Sequence, residues 1–153
     1  LAALNHNQDD LNLCIGLSSL NRLSSVIRKR VLLVGKLREH LDSSIVLPDD
    51  IDSSSPFIVP LTFNSSRLKA FVASRFEIHQ IPCNSDYKFN VSDWDWVVPS
   101  RTGNCSTPYC SDYLSRTIFL YINERYKLSH VKLICSVANT AVRDFEEQPR
   151  SLC

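Results

Sequence analysis

Apolar side chains recur at three- and four-residue steps from Leu13 through Leu17, Leu20, Ile27, Val31 and Val34 to Leu41, with no proline among them. That period predicts one long helix over residues 9–42, with Asp9 and Asp10 capping its N-terminus. Leu23, Leu33 and Leu37 widen the stripe, which predicts packing on two sides. Residues 47–56 are rich in Asp, Ser and Pro and read as a polar link. Phe57 to Phe63 reads as a strand, and Pro60 inside it predicts an edge position or a bulge. Asn64-Ser65-Ser66 predicts the cap of a short helix running to Ser74, with Leu68, Phe71 and Val72 inward. Phe76 to Ile81 alternates apolar and polar, the pattern of a half-buried strand.

From Pro82 to Ser111 the chain carries Asp, Asn, Ser, Pro and Gly and reads as a long loop, an element that usually has a function or a neighbour to cover. Trp94, Trp96, Val97 and Val98 lie in it and need a surface, so packing against the domain or a partner chain is expected. Thr117 to Ile122 predicts another strand. Ser129 then caps a last helix to Glu147, with an inward stripe of Val131, Ile134, Ala138, Ala141 and Phe145. The sum is an α+β lobe: a long N-terminal helix followed by a small, largely antiparallel sheet with packed helices.

Composition narrows the partners. With 17 basic and 16 acidic side chains the net charge is +1, which gives no electrostatic reason to expect nucleic acid or an anionic membrane. No apolar run approaches the ~18 residues of a membrane-spanning helix. Arg22, Arg28, Lys29, Arg30, Lys36 and Arg38 load one side of the long helix. No aromatic residues interleave with them, so a solvated face is expected rather than an anion site. The chain opens Leu-Ala-Ala-Leu and contains no methionine, which reads as part of a longer product.

Six cysteines and three Asn-x-Ser/Thr sequons, at Asn64, Asn90 and Asn104, leave a secreted, disulfide-bonded binding domain open as an alternative. The cysteine density is below that of small disulfide scaffolds, and Cys14 and Cys135 fall on apolar helix stripes. Reduced structural thiols in a cytoplasmic protein are therefore the expectation. Cys105 and Cys110 have no His at ligand spacing, so no metal site is expected. His6, His40, His79 and His130 are scattered. The pairs Asp49–Asp50 and Asp93–Asp95 sit in polar loops, where solvated turn carboxylates are ordinary. No nucleophile elbow, P-loop, dinucleotide turn or zincin helix is present. The sequence therefore offers no catalytic residues.

One segment carries a family signal. Leu4-Asn5-His6-Asn7, then Leu11, Ile15-Gly16-Leu17, Leu20, Arg22-Leu23, Ile27, Lys29-Arg30 and Leu41, resembles the DegT/DnrJ/StrS sugar aminotransferases. In that family an Asn-x-Arg loop precedes a helix of the same type, which joins a large lysine-bearing domain to the small C-terminal domain of a fold-type-I pyridoxal phosphate enzyme. Ser55 to Leu61, Arg67-Leu68, Ile78, the Leu120 strand and the helix opened by Ser129 follow in the family's order. The resemblance divides the chain into a connecting helix with its N-terminal loop over 1–44 and a small α+β domain over 45–153.

The resemblance implies a portion of a nucleotide-sugar aminotransferase. Its Schiff-base lysine would precede Leu1, so this chain would be inactive alone and would not hold pyridoxal phosphate stably. It implies a missing large domain and a homodimer as partners, and a nucleotide sugar as substrate. It also implies that Asn5 donates its amide to the cofactor phosphate. Asn7 stands where the family has Arg, which removes a charged fork suited to phosphate. Leu13 and Cys14 replace the family's two alanines. These departures suggest an alternative, a non-catalytic remnant or interaction module of the same fold. The loop from Pro82 to Ser111 is the expected substrate-facing element.

Overall fold

The computed structural model describes residues 10–50, 56–87 and 108–147, with the side chains of residues 10 and 11 excepted. Helix α1 (Asp10–His40) is followed by strand β1 (Ile58–Thr62), helix α2 (Ser66–Ile78), strand β2 (Cys83–Asn84), helix α3 (Pro108–Ser115), strand β3 (Thr117–Tyr121) and helix α4 (Leu128–Glu147). The three strands form an antiparallel sheet in the order β1-β3-β2, with Val59 opposite Leu120 and Leu61 opposite Ile118. The lobe is α+β, as the patterning predicts.

Burial alternates along the strands because successive side chains leave opposite faces of a pleated sheet. Val59, Leu61, Ile118 and Leu120 point to the covered face, where Leu68, Val72 and Phe76 of α2 meet Val131, Ile134, Ala138 and Ala141 of α4. Leu33, Val34 and Leu37 of α1 enter the same core. Only the C-terminal part of the long stripe is therefore used within the lobe. Phe145 is half-buried and tilts against Phe71, ring centroids 5.7 Å apart.

Pro60 lies on an edge strand, as its missing N–H requires. The backbones of Phe57 and Phe63 bond toward β3, while Thr62 bonds the other way, to Val46. Two residues before Thr62, the Pro60 nitrogen faces the outer edge, where no ladder bond is lost.

Three expectations change. Phe76 to Ile81 is not a strand: α2 continues through Ile78, past the expected end at Ser74. Ile81 N–H returns to Phe76 C=O at 2.8 Å and Gln80 N–H to Glu77 C=O at 3.0 Å, with Gln80 at φ 54°. This is a Schellman ending, and Phe76 and Ile81 both bury at it. Residues 82–111 are not loop throughout, since β2 and the start of α3 lie within them. The last helix begins at Leu128 rather than behind Ser129, and His130 meets its start, Nδ1 accepting Lys127 N–H at 3.0 Å. Ser65 caps α2 as expected, its hydroxyl accepting Leu68 N–H at 3.2 Å.

Candidate functional site

The first described turns of α1 stand clear of the lobe. Residues 12–25 are all exposed, with Leu13 at 54%, Leu17 at 61% and Leu20 at 66% of full exposure. Leucines at this spacing on one stripe make a contact face. Cys14, expected as a buried hydrophobe, is an exposed thiol here. Three residues of the basic run have partners. Arg30 pairs with Glu124 at 2.9 Å, Lys36 with Glu39 at 2.6 Å, and Arg38 donates to Pro48 C=O at 2.8 Å. Arg30 and Arg38 brace α1 against the lobe, the Lys36–Glu39 pair lies within the helix, and Arg22, Arg28 and Lys29 are exposed.

On the sheet face away from α2 and α4, the described residues that flank positions 88–107 are anchored. Tyr87 tilts over Phe119 with centroids 4.6 Å apart. Thr117 Oγ1 donates to Tyr113 C=O of α3 at 2.7 Å, and Arg116 Nη1 donates to Phe63 C=O at 3.1 Å. Trp94, Trp96, Val97, Val98, Asp93 and Asp95 lie outside the described residues, as do His6, Asn7 and the cofactor candidate Asn5.

A groove of about 810 Å³ runs between α2 and β2, with Lys69, Ala73, Ser74 and Glu77 on the helix side and Cys83 and Asp86 on the strand side. Burial, and then the negative charge of Glu77, push the Cys83 thiol above its ordinary value. Burial likewise pushes Cys135 up to about 11. Cys14, Cys83, Cys110 and Cys135 are free thiols. Among the described residues no three His, Cys, Asp or Glu side chains gather to hold a metal, and His40, His79 and His130 belong to three different helix ends. No described helix is long and apolar enough to cross a membrane.

Pyridoxal phosphate does not fit the described residues. The groove places two carboxylates beside one lysine and offers no ring to stack on a pyridine, whereas the cofactor needs an aldehyde-binding amine and several donors for a dianionic phosphate.

No family model matches the sequence, and no curated protein matches it. Solved structures do. A protein described as a sugar aminotransferase, from Streptococcus pneumoniae in its PMP form, superposes with a TM-score of 0.77 and 16% identity over 90% of this chain. Its apo form gives the same TM-score of 0.77. The aminotransferase TlmJ from Streptoalloteichus hindustanus superposes with a TM-score of 0.75 and 15% identity over 90% of this chain. The chain has a fold that sugar aminotransferases contain. It spans 36% and 37% of those two proteins, about a third of their length.

Proposed function

We propose that this chain is the C-terminal portion of a pyridoxal-phosphate-dependent nucleotide-sugar aminotransferase of the DegT/DnrJ/StrS type. Residues 1–44 join it to a large lysine-bearing domain, and residues 45–153 form the small domain that covers substrate and supports a homodimer. The observation that carries this reading is the bare apolar stripe Leu13, Leu17 and Leu20, in a fold filling about a third of the proteins it resembles. A helix that buries one end of its stripe and exposes the other is built to contact more protein than the lobe supplies.

In that protein the cofactor supplies the carbonyl chemistry that moves an amino group, and the amine that holds it comes from the large domain. The part of this chain is positional. α1 carries the lobe, Arg30 ties the helix to Glu124 in the turn after β3, and Asn5 would hold the cofactor phosphate. The chain alone is inactive.

The test is to read the coding sequence upstream of Leu1 and express the whole frame. A lysine upstream of Leu1 that gives a borohydride-stable pyridoxyl adduct, with amino transfer from glutamate to a keto nucleotide sugar, is the expected result. A frame with no such lysine overturns the enzyme. Asn7 in place of an arginine favours a second reading, a non-catalytic remnant of the same fold, and a whole frame that folds but forms no adduct selects it.

A further inference from the structure

Helix α4 is closed at its start by an imidazole. Lys127 precedes the helix, and its carbonyl accepts the first helical bonds, from His130 N–H at 3.0 Å and Val131 N–H at 3.4 Å. That makes Lys127 the capping residue, yet a lysine side chain has no acceptor to offer the free amides of the first turn. The cap is made from the other side. Three positions on, where a capping box carries Glu or Gln, His130 reaches back and its Nδ1 accepts Lys127 N–H at 3.0 Å.

An imidazole accepts there only while it is neutral, with its proton on Nε2. A glutamine in that place would hold at any pH, whereas histidine as a residue type changes charge between about pH 5 and pH 8. Once protonated, Nδ1 carries a hydrogen that opposes Lys127 N–H. The positive ring then sits in the first turn, where the helix dipole disfavours a cation.

The same ring touches the next link in the chain. Tyr126, half-buried against the core, meets His130 edge-on with ring centroids 5.5 Å apart. Tyr126 N–H closes its turn on Asn123 C=O at 3.0 Å, and within that turn Glu124 holds Arg30 of α1 at 2.9 Å. The other charged groups about the turn are Arg125 and Lys127 in it, Lys132 on α4, and Lys36 and His40, which border Leu128 and Lys132 from α1. Glu124 is the one carboxylate among them, and Arg30 engages it.

We propose that His130 is a pH-operated cap. Neutral, it closes the first turn of α4 and steadies the turn that ties α1 to the lobe; protonated, it releases both. The device does not rest on the aminotransferase reading.

The test is an NMR titration of the ¹⁵N-labelled chain from about pH 8 to about pH 5.5. Glu124, whose carboxyl is held below its ordinary value, stays ionised over that range. At the alkaline end His130 should be the Nε2–H tautomer. On acidification the exchange protection of the Lys127 amide, corrected for its intrinsic rate, should fall about fivefold or more. The Arg30 guanidinium signals should move with the same midpoint. His130→Gln keeps an acceptor that does not titrate and should hold the protection throughout, while His130→Leu should lack it throughout. Because the chain carries other histidines, the Gln variant also assigns the transition to His130. An Nδ1–H tautomer at the alkaline end overturns the proposal. So does Lys127 protection that stays level while the His130 ring titrates, or a pH dependence of it that survives in His130→Gln. Arg30 signals that stay fixed through the His130 transition overturn the link to α1.

Discussion

Asn139 on α4 holds the backbone at Asp42, just past the end of α1: its Oδ1 accepts Asp42 N–H at 2.9 Å, while its Nδ2 donates to His40 C=O at 2.8 Å. One side-chain amide thus satisfies a donor and an acceptor that the helix end leaves without intrahelical partners. It also fixes where the long helix leaves the lobe.

Asn139→Ala should therefore destabilise the chain by about 1–3 kcal/mol, the cost of leaving part-buried polar groups unmet. Urea denaturation with an unchanged m-value checks it. An effect under about 0.5 kcal/mol would mean that water replaces the amide.

Gln80 occupies the left-handed region at the end of α2, a conformation that penalises any side chain with a Cβ. Gln80→Gly should stabilise by about 0.5–1 kcal/mol, read as a rise in the thermal midpoint. Gln80→Val should do the reverse.

Cys135 ionises in the folded chain only near 11, because burial disfavours the thiolate. The folded pKa is raised, so the stabilisation is fully present below the unfolded value and is lost as pH climbs toward the folded one. Stability should fall between about pH 9 and pH 11, and Cys135→Ala should flatten that part of the curve. Native alkylation followed by peptide mapping should label Cys14 and Cys110 early and Cys135 last.

Glu124 has its carboxyl held below the ordinary range, first by its own backbone N–H and then by Arg30. A depressed pKa contributes stability above the unfolded value that is lost as pH falls through the folded one. Glu124→Gln should therefore lower stability slightly at neutral pH, with the difference from the parent chain shrinking as pH falls below about 4.5, so that acid unfolding is less steep.

Leu17→Lys with Leu20→Lys should shift stability by no more than about 0.5 kcal/mol, since neither side chain enters the lobe's core. Self-association of the isolated chain should fall. Size-exclusion chromatography at matched concentrations, read beside thermal melts, separates the two effects.

Much of this fold is legible because α1, α4 and the β1–β3 pair each repeat one period for long enough to be unambiguous. The sequence misleads where a period is short. Phe76-Glu77-Ile78-His79 alternates like a strand, with Ile81 already out of phase, and the glycine that usually announces a helix end is replaced by Gln80, so nothing in composition marks the stop. β2 is two residues long and leaves no pattern to read. The periodicity of α1 shows that it is amphipathic but not how much protein surrounds it. Leu13 and Leu37 look equivalent in sequence, yet the first is exposed and the second buried. The groove was invisible for a related reason: it is made by Ala, Ser and a turned strand edge, features of shape rather than of residue type. Asn5 is legible through family resemblance alone, because no pattern of its own marks it.

α1 is 31 residues long, roughly 46 Å, and the core grips it only from Leu33 onward. Mechanically it is a lever arm with its fulcrum in the lobe. Leu33 lies twenty-one positions beyond Asn12, so a tilt of about 5° at the gripped end carries the far end through ~3 Å. A small rotation of the lobe about that end is thereby magnified at the tip as displacement.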